Sequence, residues 1–203
     1  MTLIRNFPRK DSFKEEVPYA QRERSLVYVG LLSRPRGITE MLEGHRIASK
    51  EIDLKFILGG KFAPSSLEQE LLPQYKVDYR AWLPYREMVS TLYKASIGII
   101  VPHPIERYKT NYPVKLFEYM AAGIPVIASA EGESATFVRE GDAGILVDPL
   151  NPDQIADAIV RLSSNPVAAE AMGSRGRKLI FEKYNWEAES ARLITLYRQL
   201  SDV

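Results

Sequence analysis

The chain has 203 residues, enough for one large domain with a sizeable core and no covalent staples. Its net charge of +1 argues against a nucleic-acid partner, and the absence of cysteine excludes disulfides, a thiol nucleophile and cysteine-held metal. With only His45 and His103 a histidine-rich metal site is not expected, and no apolar run has the length of a bilayer span.

The N-terminus lacks the pattern of a signal peptide. "MTLIRNFP" reads as a short strand stopped by proline, followed by a charged loop to Arg24, the kind of leader expected inside a larger protein. A regular alternation then begins. Strands are expected at 25–30, 52–60, 76–83, 97–102, 124–129 and 143–149, from apolar runs closed by turn residues. Helical spacing places helices at 37–50, 65–75 (with serines to cap it), 86–96 and from Pro113 to Gly123, with a short helix at 134–141. Three helices finish the chain, at 151–164, 166–182 and 186–201. Strands alternating with helices imply an α/β fold, a doubly wound parallel sheet with right-handed crossovers. The domain scheme is a linker over 1–24, a Rossmann-like domain over 25–184 and a C-terminal helix over 185–203.

In such sheets a ligand sits beyond the carboxyl ends of the strands. The loops on that edge are 31–37, 60–65, 84–85, 102–113 and 130–133. Arg34 and Arg36 stand just before a glycine and a helix start, and Lys115 stands at the start of another helix. Helix starts offer free N–H groups and a positive dipole end, so two of them with added cations suit a diphosphate. Glu118, one turn deeper, suits a vicinal diol such as a ribose, and a sugar nucleotide fits the set. On an arbitrary helix Lys115 and Glu118 read more simply as a surface ion pair at i, i+3, and "SRPRG" reads also as a solvated turn. Phe117, Tyr119 and Met120 read as core, His45 as surface, and His103 as a loop residue on the ligand edge. Neither G-x-G-x-x-G nor a Walker A pattern is present, so NAD and ATP have no support.

"YPVKLFEYMAAGIPVIAS" resembles the donor-site signature of glycosyltransferase family 4. "YVGLLSRPRG", "AWLPYREMVSTLYKASIGIIVP", "GDAGILVDPLNPDQIADAIVRLSSNP" and "YNWEAESARLITLYRQL" are similar to further segments of that family in the same order. The resemblance implies the C-terminal half of a GT-B fold, with the acceptor-binding N-terminal domain absent. It implies a retaining, metal-independent transferase in polysaccharide or glycoconjugate synthesis that uses a nucleoside diphosphate sugar, with UDP-glucose as the expected donor.

Carried over by position, Arg36 and Lys115 are the catalytic candidates at the diphosphate. Glu118 is the ribose carboxylate of the family's E-x7-E motif. Gly30 and Leu31 belong to the phosphate loop, Trp82 and Leu83 lie beside the base, and Thr110, Asn111 and Tyr112 approach the donor sugar. Lys115 and Leu116 match positions whose backbone amides, at the helix start, face the phosphates, and Pro113 and Val114 open that helix in the donor site. Thr110 stands where the motif has its first glutamate, with Glu106 as a substitute, and Leu31 stands where an arginine is frequent, with Arg34 as its replacement. The implied location is cytoplasmic, with the parent enzyme at the inner face of the membrane and no membrane contact from this half. A non-catalytic nucleotide-sugar module and half of a sugar-nucleotide epimerase are the alternatives.

Overall fold

The sheet is built from six parallel strands in the order β3-β2-β1-β4-β5-β6. The computed structural model describes residues 3–110 and 112–201, so Asn111 lies outside the described residues. In chain order the elements are β1 (Ser25–Val29), α1 (Ile38–Ala48), β2 (Lys55–Gly59), α2 (Ser66–Leu71), β3 (Asp78–Arg80), α3 (Tyr85–Lys94), β4 (Ile97–Ile100), α4 (Glu106–Lys109), α5 (Val114–Ala121), β5 (Val126–Ser129), α6 (Glu133–Gly141), β6 (Gly144–Val147), α7 (Pro152–Ser164), α8 (Pro166–Glu182) and α9 (Trp186–Ser201). This is the doubly wound, Rossmann-like order, and its direction reverses between β1 and β4.

Alternation along each strand feeds a separate core on either face. Leu26, Tyr28, Leu58 and Ile99 pack with Ile38 and Met41 of α1 and Ile155 of α7. Val27, Ile57 and Ile100 pack with Leu92 of α3, Phe117 and Met120 of α5 and Ile180 of α8. Gly98 in β4 sets the seat of α5: a Cβ there would stand 2.5 Å from Cδ2 of Tyr119, so only glycine lets that ring lie on the strand. The Tyr119 hydroxyl then accepts the Val29 N–H at 3.0 Å, tying α5 to the end of β1. At the other end of α5, Gly123 donates to the Met120 carbonyl and Ile124 to that of Tyr119, the double bond pattern of a glycine stop.

Several expectations change. No strand forms over residues 3–8; the Arg5 N–H donates to the Glu189 carboxylate at 3.2 Å and the Pro8 carbonyl accepts from Trp186 at 3.0 Å. These partners take the place of a sheet neighbour. The helix over 65–75 stops at Leu71, because Pro73 cannot donate and the chain tightens into a 3₁₀ turn over Leu72–Gln74. Ser65 precedes it without a side-chain cap bond. The strand over 76–83 shortens to the edge strand β3, and the loop after β4 contains the single turn α4. His45 is buried rather than on the surface. Its Nε2–H donates to the Leu54 carbonyl at 2.7 Å, its ring packs 5.3 Å from Phe56, and burial lowers its pKa. Among the described residues no helix is long and apolar enough to cross a membrane.

Candidate functional site

The site begins where β1 ends. Gly30 has φ +147°, a backbone region that side-chain-bearing residues avoid, and this turns the chain under the start of α5. Lys115, in the first turn of α5, reaches back across it. A Cβ on Gly30 would fall 2.2 Å from Lys115 Nζ. The ammonium donates to the Tyr28 hydroxyl at 2.9 Å and lies 4.1 Å from the centre of that ring. The Tyr28 hydroxyl in turn donates to the Leu31 carbonyl at 3.0 Å. Burial pushes the Tyr28 phenol up to about 12, against the charge and hydrogen bond of Arg36. Tyr28 therefore stands between two cations.

Those cations are held out of bulk water. Burial, with the Arg36 charge adding to it, brings Lys115 down to about 7, while Glu118 pulls the other way. Burial pushes Glu118 up to about 7, and Lys115 opposes that shift. Arg36 Nε is buried without a hydrogen-bond partner, and the guanidinium lies 5.7 Å from the centre of the Tyr108 ring. Tyr28, Arg36, Tyr108, Pro113, Lys115 and Ser134 line a small, partly open space of about 20 Å³. Pro113 precedes α5 without a side-chain cap, and of the first-turn amides that of Leu116 donates to the Pro113 carbonyl at 2.9 Å, leaving those of Val114 and Lys115 for a ligand at this edge. The arrangement can hold an anion between two cations and a helix start, with a protonatable carboxylate one turn away.

The expected site residues separate into groups. Gly30, Arg36, Pro113, Val114, Lys115 and Glu118 come together, and Leu116 is buried in the core beneath them. Leu31 is 45% exposed on the same edge. Leu83 packs over Gly59, where a Cβ would stand 2.6 Å from its Cδ1. Trp82 is 70% exposed, with Lys61 Nζ 5.8 Å from its ring centre. Arg34 does not join the cluster, since its guanidinium is engaged by Glu70 and, at 3.2 Å, by Thr39. Thr110 caps α4 and is exposed. His103 Nε2 lies 3.1 Å from Glu40 Oε2. Tyr112 packs on Phe137 at 5.7 Å and under Arg5 at 4.7 Å. Among the described residues no group of three or more His, Asp or Glu side chains is placed to hold a metal ion.

No sequence motif singles out Tyr28, Tyr108 or Arg5. A signal for Tyr28 does exist in the pattern: it is the last inward residue before the strand-ending glycine, and its polar tip must emerge at the carboxyl edge.

Residues 23–165 match the family model described as "Glycosyl transferases group 1". The chain belongs to the group 1 glycosyl transferases. An uncharacterized glycosyltransferase of Methanocaldococcus jannaschii is 24% identical over 196 residues, covering 95% of this chain and 49% of the relative. The sucrose-phosphate synthase of Thermosynechococcus elongatus superposes with a TM-score of 0.73 at 26% identity, over 97% of this chain and 50% of that one. The Anabaena protein HepE, solved in complex with UDP, gives 0.80 at 15% identity over 100% of this chain and 57% of its own, a likeness of fold alone. The chain thus spans about half of these glycosyltransferases and forms the C-terminal, Rossmann-like half of the GT-B architecture.

Proposed function

We propose that this domain binds a nucleoside diphosphate sugar for a retaining, metal-independent transfer of the family 4 type, with UDP-glucose as the leading donor. The observation that carries the reading is the pairing of Arg36 and Lys115 around Tyr28 at the start of α5, with Glu118 one turn deeper. The two cations and the first-turn amides receive the diphosphate, and Glu118 accepts hydrogen bonds from the ribose hydroxyls. As the glycosidic bond to the donor breaks, charge builds on the leaving diphosphate, and preformed positive groups stabilise it without reorganising. The acceptor comes from the other half of the GT-B pair, which supplies proximity. This half alone binds donor and transfers poorly. Two structural neighbours solved with UDP, HepE and TarM, support the choice of base.

Calorimetric titration with UDP, GDP and ADP tests the reading. UDP binds tightest, and Arg36→Ala and Glu118→Ala each weaken it. A hydrogen bond to a charged group is worth about 1.5–3 kcal/mol, so each loss is about ten- to a hundredfold. Equal affinity in the wild type and both variants overturns the site.

A further inference from the structure

The start of α5 carries the proposed diphosphate contacts, yet no side chain caps it: the residue before the helix is Pro113, which has neither a donor nor an accepting side chain. Its entry angle is fixed by an apolar staple instead. Tyr112, just before the proline, and Phe117, in the second turn, both lie edge-on to Phe137, with ring centres 5.7 and 4.8 Å away.

A distant stretch of chain grips both residues of that staple from outside. Arg5 lays its guanidinium 4.7 Å from the Tyr112 ring centre and donates from Nη2 to the Tyr112 hydroxyl at 3.3 Å. Phe7 meets Phe117 edge-on at 4.8 Å. Arg5 is itself held in place. Its backbone N–H donates to Glu189, a carboxylate only 2% exposed in the first turn of α9, whose other oxygen accepts from Arg192 at 3.0 Å.

From this we infer that Arg5 is a positioning residue for donor binding: through Tyr112 it sets the angle at which the first turn of α5 and Lys115 meet the diphosphate. The inference rests on the nucleotide reading above. Arg5 touches no donor atom in this arrangement, and its effect falls on the phosphates rather than on the nucleoside held by Glu118. The two α9 carboxylates that bind the linker, Glu189 and Glu187, make the same clamp responsive to any shift of α9.

The test compares wild type, Arg5→Ala, Arg5→Lys and Tyr112→Phe. UDP and UMP affinities are measured by calorimetry, and amide hydrogen exchange is followed at Leu116–Glu118, the first bonded amides of α5. Arg5→Ala is expected to weaken UDP about fivefold, the worth of a partly desolvated cation–π contact, and to leave UMP within about twofold. Arg5→Lys restores much of the loss by keeping a cation over the ring, and Tyr112→Phe gives a smaller loss. Exchange at Leu116–Glu118 quickens in Arg5→Ala while α7 is unaffected. Equal losses for UDP and UMP, or unchanged UDP binding with unchanged exchange, overturn the inference. Should the wild type bind neither nucleotide, the functional reading fails, and the exchange measurement alone decides whether Arg5 sets the helix start.

Discussion

Lys115 Nζ donates to the Tyr28 hydroxyl across 2.9 Å, directly above Gly30 and one turn from the Glu118 carboxyl. Burial moves the lysine and the glutamate toward each other, both to about 7. The pair therefore titrates around neutral pH.

Donor binding should change its proton count with a sign that depends on pH. A diphosphate favours the charged lysine, so at pH 8 UDP-glucose binding takes up a proton. Ribose hydroxyls favour the charged glutamate, so at pH 6 binding releases one. Calorimetry in buffers of different ionisation enthalpy reads this directly. Lys115→Met should lose the uptake at pH 8 and keep the release at pH 6.

The same groups govern stability. Below about 7 the folded chain keeps a proton on Glu118 that the unfolded chain gives up from pH 4.5, so stability falls as pH rises through that window. Between about 7 and 10.5 the unfolded chain holds more protons at Lys115, so stability rises with pH. The pair is least favourable near neutrality. Glu118→Gln should raise the melting temperature by about 5 °C at pH 8, equivalent to about 1–2 kcal/mol, and leave it unchanged at pH 5. A gain of equal size at both pH values would contradict the assignment.

Gly30→Ala tests the seat of Lys115. The new methyl meets the end of a flexible side chain, which can move aside, while the backbone at φ +147° resists. A stability loss of about 1–2 kcal/mol is expected in denaturant titration. UDP affinity should drop about tenfold, because the ammonium no longer reaches the same point.

Tyr108 closes the cluster. The space it borders, about 20 Å³ and partly open to solvent, accommodates about one water molecule as it stands. If the proposed diphosphate takes this space, Tyr108 has to swing off Arg36 to admit it. Tyr108→Ala should raise the association rate for UDP in stopped-flow and leave the affinity equal or tighter. Weaker binding would make Tyr108 part of the grip instead.

Arg22 offers a control outside the site. Its guanidinium donates to the carbonyls of Leu92, Tyr93, Ala95 and Ala122, at 2.7–3.3 Å, closing the ends of α3 and α5. Burial lowers its pKa to about 10. Arg22→Ala leaves those acceptors without the donor and should cost about 3 kcal/mol by denaturation, with UDP affinity unchanged in the folded protein.

The helices at 151–164, 166–182 and 186–201 and the strands at the sheet centre were legible because their apolar periods agree with their packing. His45 misled because its helical position is polar by type, while its partner, the Leu54 carbonyl, comes from another segment. The strand expected from the N-terminal residues does not form over 3–8 for a similar reason: Phe7 satisfies its apolar character among rings rather than in a sheet. Local sequence marks the two cations and the glutamate. The tyrosine between them becomes visible only when β1 and α5 are side by side, because the contact joins residues 28 and 115.

The residues before β1 are fastened to the domain at many points. Besides Arg22, Arg177 reaches from α8 to the Phe13 carbonyl at 2.9 Å and to that of Ala121, and Phe13 is wholly buried. Anyone exchanging C-terminal halves between glycosyltransferases would be tempted to join them at Ser25, where the sheet starts. A graft cut there would leave behind the lid of its own interior. The transferable unit has to carry this strap with it, from Arg5 onward.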